Sequence, residues 1–285
     1  RNDMRLPIWL TVIAAVVTLG VVLVLGNTFL QRDLALLNNV ELSPTTITPN
    51  ADGDDDVALF SYEINRNAQV SLIFEDADGN VFVYRENEPR GEGEYSVFFG
   101  GVVDGFTLPG EDIGGEVVRR LIPNGDYTWT LTAVADDDGE VMTEVGTLTV
   151  RDADTPLPEM IEFTVFPEVF TPNQDGIGDR TQVNIFLAKD AELDVFLLNQ
   201  EGERQYMVRR EEARDDGEAG RHWFDYEGGV DIGADPPPDG LYQVVAEARD
   251  LEGQIIRRTE PLTIAMGGKP RAEIVPQTAG VTVIF

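Results

Sequence analysis

Thr48-Pro49-Asn50-Ala51-Asp52-Gly53, with Asp56 just beyond, is answered later by Thr171-Pro172-Asn173-Gln174-Asp175-Gly176 and Asp179. Around these two stretches Val40 to Gly79 aligns with Phe163 to Gly202 at a constant offset, without a gap. A second phrase, Pro123-Asn124-Gly125-Asp126-Tyr127, returns as Pro238-Asp239-Gly240-Leu241-Tyr242. Repeats of this length mark tandem domains, because solenoid units are far shorter. The 285 residues therefore divide into a leading segment 1–39, a first domain 40–151, a linker 152–160, a second domain 161–264 and a tail 265–285. Each domain is of a size at which one hydrophobic core can support a fold unaided.

Outward from the turn motif, apolar residues alternate as half-buried strands require. Ala58, Phe60, Tyr62 and Ile64 share one face, and Val70, Leu72 and Phe74 share the next. The second copy repeats the pattern with Val183, Ile185 and Leu187, then Leu193, Val195 and Leu197. Turn signals at Asp78-Gly79-Asn80, Asp136 to Gly139, Glu201-Gly202 and Glu252-Gly253 separate the runs. About seven short strands per unit predict a mainly β protein of two tandem, antiparallel, Ig-like β-sandwiches. Tyr127 and Tyr242 follow a Pro-x-Gly turn at the start of a core strand. There a phenol can bury its ring and return its hydroxyl to nearby backbone, as in a tyrosine corner.

Three features together resemble the Ig-like domain of the flagellar hook-capping protein and the C-terminal modules of secreted gliding-motility proteins. They are the Pro-Asn-x-Asp-Gly-x-x-Asp opening, the Trp223 to Asp225 segment, and Pro-x-Gly-x-Tyr before a late strand. The first copy departs from the pattern at Tyr95 to Gly101, which lacks the tryptophan, and in a Gly-rich insertion from Gly100 to Gly115. The resemblance implies packing and assembly rather than chemistry.

The chain carries 52 Asp and Glu against 21 Lys and Arg, a formal net charge of −31. Nucleic acid is thereby disfavoured as a partner, since phosphate binding needs clustered positive charge. No cysteine is present, so neither disulfides nor thiolate metal sites contribute. Lys189 and Lys269 are the only lysines.

Leu6 to Leu30 carries no charge. Twenty residues of helix span about 30 Å, the hydrocarbon thickness of a bilayer. The apolar cores of cleavable signal peptides are shorter, about 7–15 residues. Apolar spacing continues through Phe29, Leu30, Leu34 and Leu37, which predicts one long hydrophobic α-helix from Pro7 to about Leu37. Arg1 and Arg5 before it and acidic domains after it fit a membrane anchor with the domains outside the cytoplasm. The layout also resembles the subunits of type IV pili and archaella, in which such helices leave the membrane and bundle into a filament core. That resemblance covers only the first forty residues or so, and Arg5 stands where a pilin carries glutamate. Both readings put the chain at the cell surface, with at least transient membrane contact. The filament reading adds self-assembly through the N-terminal helix and the C-terminal strands.

Asn50, Asp52, Asp56 and Asn173, Asp175, Asp179 are the candidate metal ligands. Oxygen ligands at alternate positions before a glycine suit a hard cation such as Ca²⁺. The EF-hand pattern fails, because counting Asp52 as the fifth position puts Thr48 first and Leu59 twelfth. The same residues also describe Asx-turns, in which Asn and Asp side chains bond their own backbone and glycine takes positive φ. Both readings stay open on sequence alone. Catalytic residues are few: His222 is the only histidine, and Ser43, Ser61, Ser71 and Ser96 all lie in or beside the first repeat. With no nucleophile elbow and no marked carboxylate pair, a non-enzymatic structural protein is expected. Ala272–Val275 and Val281–Phe285 are read as strands joined by Pro276 to Gly280, pairing with the edge of the second domain or with a neighbouring subunit.

Overall fold

The computed structural model describes residues 35–207, 210–211, 217–229, 236–266, 273–277 and 280–284, apart from residue 174. The predicted N-terminal helix lies almost wholly outside the described residues. Its end does not. Leu36 and Leu37 are buried, and Leu37 opens a strand, so the apolar spacing that reads as a last helical turn belongs instead to the first sandwich.

The first unit contributes β1 (Leu37–Ser43), β2 (Thr46–Ile47), β3 (Ala58–Ile64), β4 (Ala68–Glu75) and β5 (Val81–Arg90). It continues through β6 (Gly93–Phe99), β7 (Val102–Asp104), β8 (Glu116–Leu121), β9 (Gly125–Ala135) and β10 (Val141–Val150). One sheet runs β1-β3-β6 and faces another of order β2-β10-β9-β4-β5. In β3 and β4 the alternation holds as read: Ala58, Phe60, Tyr62, Ile64, Val70, Leu72 and Phe74 are all buried. Each large side chain so buried contributes about 1.5–3 kcal/mol. Across the sandwich, Phe60 meets Trp129 edge-on at 5.0 Å and Phe74 stacks on Phe99 at 4.4 Å.

The second unit comprises β11 (Met160–Phe166), β12 (Val169–Phe170), β13 (Thr181–Leu187), β14 (Glu192–Leu198) and β15 (Arg204–Tyr206), then β16 (Arg210–Glu211), β17 (Gly220–Tyr226), β18 (Gly240–Arg249) and β19 (Ile255–Ile264). Its sheets are β11-β13-β17-β16 and, within a larger sheet, β15-β14-β18-β19. Four strands facing a C-F-G-type set, with a short parallel pairing of β12 to the last strand, is an immunoglobulin-like arrangement. The first unit repeats it with three strands in place of the four, and β2 again pairs parallel with the last strand, β10.

The two sandwiches share a sheet. Strand β8 of the first pairs antiparallel with β19 of the second, placing Val117 opposite Ile256 and Glu116 opposite Arg257. The Gly-rich insertion is thus an arm reaching into the next domain. Finally β20 (Glu273–Gln277) and β21 (Gly280–Ile284) pair with each other, not with the edge of the second sandwich. Pro276 lies inside β20 rather than in the connecting turn.

Candidate functional site

The repeated acidic loops are built alike. Asn50 Oδ1 accepts from Asp52 N–H at 3.0 Å, and Asp52 Oδ1 accepts from Asp54 N–H at 2.9 Å. Asp56 then gathers the loop, accepting from the N–H groups of Asn50, Ala51 and Gly53 at 3.1, 3.0 and 2.8 Å. In the second copy Asn173 accepts from Asp175 N–H and Asp175 from Ile177 N–H, while Asp179 accepts from Asn173 and Gly176 N–H. Gly53 and Gly176 sit at φ 93° and 84°. These are Asx-turns closed by a carboxylate. A Ca²⁺ ion would have to draw Asp56 and Asp179 away from backbone donors they already satisfy. Among the described residues no group of three or more His, Cys, Asp or Glu side chains is placed to hold a metal.

Burial tends to raise the Asp56 carboxyl, but backbone N–H donation from Asn50, Gly53, Ala51 and Asp52 outweighs it and holds the group below its ordinary 3.8. Asp56→Ala leaves those donors to water and is expected to lower stability by about 1–2 kcal/mol. Chemical denaturation of the variant against the parent, with and without added Ca²⁺, checks both the loss and the independence of metal.

The other singled-out residues fall into structural places. Tyr127 and Tyr242 donate to the carbonyls of Pro123 and Pro238 at 2.6 and 2.8 Å, so both tyrosine corners form. His222 is wholly buried on β17, its Nε2 donating to Glu218 O at 2.7 Å. Trp223 and Asp225 occupy the opposite face of that strand from Phe224 and Tyr226. Ser61 and Ser96 face one another on the first sandwich, and Ser71 accepts from Asn87 N–H. The structure does not bring the histidine and the serines together. Of the acid run Asp136 to Asp138, Asp137 and Asp138 pair with Arg66 at 3.0 and 2.9 Å.

The junction between the sandwiches, which sequence reasoning did not locate, is a second polar construction. The arm is shared between two cores: Val103 is buried in the first with Phe106 packed against it, while Ile113 and Val117 pack against the second. Glycine is needed at two places in it. A Cβ on Gly105 would lie 1.6 Å from the Val117 carbonyl oxygen, and one on Gly115 would lie 2.8 Å from that of Arg257. Arg120, nearly buried on β8, grips Glu111 through its two terminal guanidinium nitrogens at 2.5 and 2.6 Å and stacks over Phe106.

That grip sets a pH response. Hydrogen bonding from Arg120 outweighs burial and lowers the Glu111 carboxyl from 4.5 to about 2. A depressed carboxylate stabilises the fold fully above its unfolded value and loses that contribution as pH falls toward the folded one. Stability conferred by the arm should therefore hold above pH 4.5 and decline between 4.5 and about 2. Glu111→Gln should flatten that part of the stability–pH curve, measured by urea denaturation at each pH.

Beneath the arm, Gln254 is wholly buried. Its Oε1 accepts from Leu121 N–H at 3.2 Å, and its Nε2 donates to the carbonyls of Asp154 and Pro156 and to Asp250. One amide thus ties arm, linker and second domain. Beside it Lys189 Nζ bonds Asp154 at 2.8 Å, Asp250 at 2.9 Å and Glu252 at 3.2 Å, and reaches the Pro156 carbonyl. The Asp250 side chain is 0% exposed and that of Glu252 5%. Burial would lower the Lys189 ammonium, but the hydrogen bonds it donates to Asp154 and Asp250, with the charge of Asp250, hold it well above its ordinary value. Arg257 adds pairs to Glu116 and Glu247, and Arg258 donates to Met160 O. A linker so tied cannot act as a free hinge.

No protein-family model matches the sequence, and no curated protein matches it. Among solved structures the chain is similar to dimeric latent PorU from Porphyromonas gingivalis, at 13% identity and TM-score 0.29, over 82% of this chain and 20% of that one. It is also similar to a tetra-tandem repeat from the extending region of a large adhesion protein, at 16% and 0.24, over 80% and 48%. A segment of two fibronectin type III domains from chicken tenascin gives 13% and 0.22, over 80% and 98%. The chain spans about a fifth of the length of the first. The fold assignment rests on the strand order and register described above.

Proposed function

We propose that this chain is a non-enzymatic structural subunit of a cell-surface assembly, a stiff two-module β-spacer displayed outside the cytoplasm. The observation that carries the reading is the pairing of β8 with β19, which extends one sheet from the first sandwich into the second. Tandem domains joined only by a linker move relative to one another by default, unless the interface is large and apolar. Here backbone hydrogen bonds, the buried Gln254 amide and the Lys189 cluster remove that freedom. A spacer that transmits position or force needs such stiffness; a carrier of independent binding modules does not.

Leu6 to Leu30 supplies the attachment, and within this reading its helix forms the core of a filament with the sandwiches outward. The second reading, a single-pass anchored scaffold or adhesin, is favoured by Arg1 and Arg5 preceding the apolar run, since unpaired charges are costly inside an apolar bundle. No helix among the described residues is long and apolar enough to cross a membrane, and Leu6 to Leu30 lies outside them. Electron microscopy of material sheared from native cells, with the chain identified by mass spectrometry, separates the two. Regular filaments built chiefly of this chain support the filament; retention in membranes until detergent releases it, with no filament containing it, overturns that form and leaves the anchored scaffold.

A further inference from the structure

The two sandwiches differ at one edge. In the second, β19 is flanked by β18 on one side and, on the other, by β8 at its start and β12 at its end. In the first, β10 has β9 on one side, and on the other only β2, which covers Thr149 and Val150. Thr149 N–H donates to Thr45 O as Thr263 N–H donates to Glu168 O, so these threonines occupy equivalent places. Counting back equally from each, Val141 to Thr143 stand where Ile255 to Arg257 stand. The latter are the residues β8 covers; among the described residues no strand covers the former.

Alternation along β10 aims the N–H groups of Thr143, Val145 and Thr147 at this open edge, because Thr149 and Arg151 already donate in that direction. Val141 and Val145 are 59% and 58% exposed there. An open edge with exposed valines is a template for strand addition.

The complementary element lies at the other end of the molecule. β20 and β21 pair in register with each other and with no other strand among the described residues. A lone two-stranded hairpin is marginal in water, so this one needs a further edge or face. Lys269-Pro270-Arg271 precedes it in a chain of net charge −31, while Asp136-Asp137-Asp138 and Glu140 lead into β10 and stay net negative after Arg66 pairs with Asp137, Asp138 and Glu140. The charges are complementary. β10 runs toward the junction, putting Val141 at the far end of the first sandwich, and β19 runs away from it, putting Ile264 at the opposite pole.

We propose that the C-terminal hairpin of one copy pairs along the open edge of β10 in a second copy, reproducing between copies the capping that β8 gives β19 within one. The inference rests on reading the chain as an assembly subunit. One open edge and one hairpin at opposite poles make a heterologous contact that propagates head to tail.

Because the chain has no cysteine, the contact can be tested by disulfide trapping of the full chain in detergent micelles. Thr143→Cys and Val281→Cys chains are mixed under mild oxidation, with Ser96→Cys on the edge strand β6 as the comparison site. The expected result is a mixed cross-link from Thr143→Cys that exceeds the one from Ser96→Cys. Val145→Lys in the Thr143→Cys chain should reduce it severalfold, since an edge lysine opposes strand addition. Circular dichroism checks that each variant is folded. Oligomers in sedimentation without the Thr143 cross-link, or with an equal or stronger Ser96 cross-link, overturn the hairpin proposal and leave the assembly reading standing. Monomeric chains throughout remove both.

Discussion

Lys189→Met is expected to destabilise the second sandwich and its junction by about 3–5 kcal/mol, the cost of removing one partner from a buried ionic cluster. The lysine is 21% exposed, whereas the Asp250 and Glu252 carboxylates it faces are 0% and 5% exposed. Without Nζ these two negative charges and Asp154 confront one another in a chain whose net charge is already −31. Urea denaturation at neutral pH reads the loss. The double variant Lys189→Met with Asp250→Asn should recover part of it, since the amide removes one buried charge while keeping an acceptor for Gln254. The parent protein gives the same information by titration. An ammonium whose value is raised on folding stabilises fully below its ordinary 10.5, and that contribution is lost as pH rises beyond it. Stability should therefore fall above pH 10.5 in the parent and much less in Lys189→Met. An equal fall in both would show that the cluster contributes nothing net.

Gly105→Ala should have a comparably large effect of a different kind. The added methyl group would sit 1.6 Å from the Val117 carbonyl oxygen, a backbone atom that no rotamer change can remove. Gly105 N–H also donates to Val118 O at 3.0 Å, so the substitution pushes the chain just after β7 away from β8. Overpacking in well-packed sites costs about 1–3 kcal/mol, and backbone contacts this short lie at the upper end. The arm would then no longer present β8 to β19. Small-angle scattering should show a broader distribution of inter-domain distances, and calorimetry should resolve two transitions where the parent shows one. A variant with unchanged scattering would mean that linker and Gln254 alone hold the domains.

The sandwiches themselves were legible because their signal is local. Period-two alternation in β3, β4, β13 and β14 depends only on neighbouring residues, and the tyrosine corners need just a Pro-x-Gly turn before the strand. The acidic loops were half legible: the spacing picked out the side-chain oxygens that accept from the loop backbone, but which N–H groups each one reaches depends on a loop conformation that spacing does not carry. The junction was not legible. Glu116-Val117-Val118-Arg119-Arg120-Leu121 does not alternate, its partner strand lies far along the chain, and Gly105 and Gly115 are required by atoms of β8 and β19 rather than by local turns. Gln254 and Lys189 look like surface residues until the linker carbonyls and carboxylates they satisfy are in place. Leu37 misled for a related reason, since one apolar residue at helical spacing cannot distinguish the end of a helix from the start of a strand.

Sharing β8 between two cores also orders the events of biogenesis. The arm emerges with the first sandwich, but the strand that covers it is among the last parts of the second to appear. Contacts of such long sequence separation form slowly, because the intervening chain must be closed into a loop before they are gained. During that interval β8 is an uncovered edge. Its Glu116 and Arg119 are the kind of charges that discourage pairing with a stranger. The junction that stiffens the finished molecule is thus the last to close, and the chain carries its own protection for the wait.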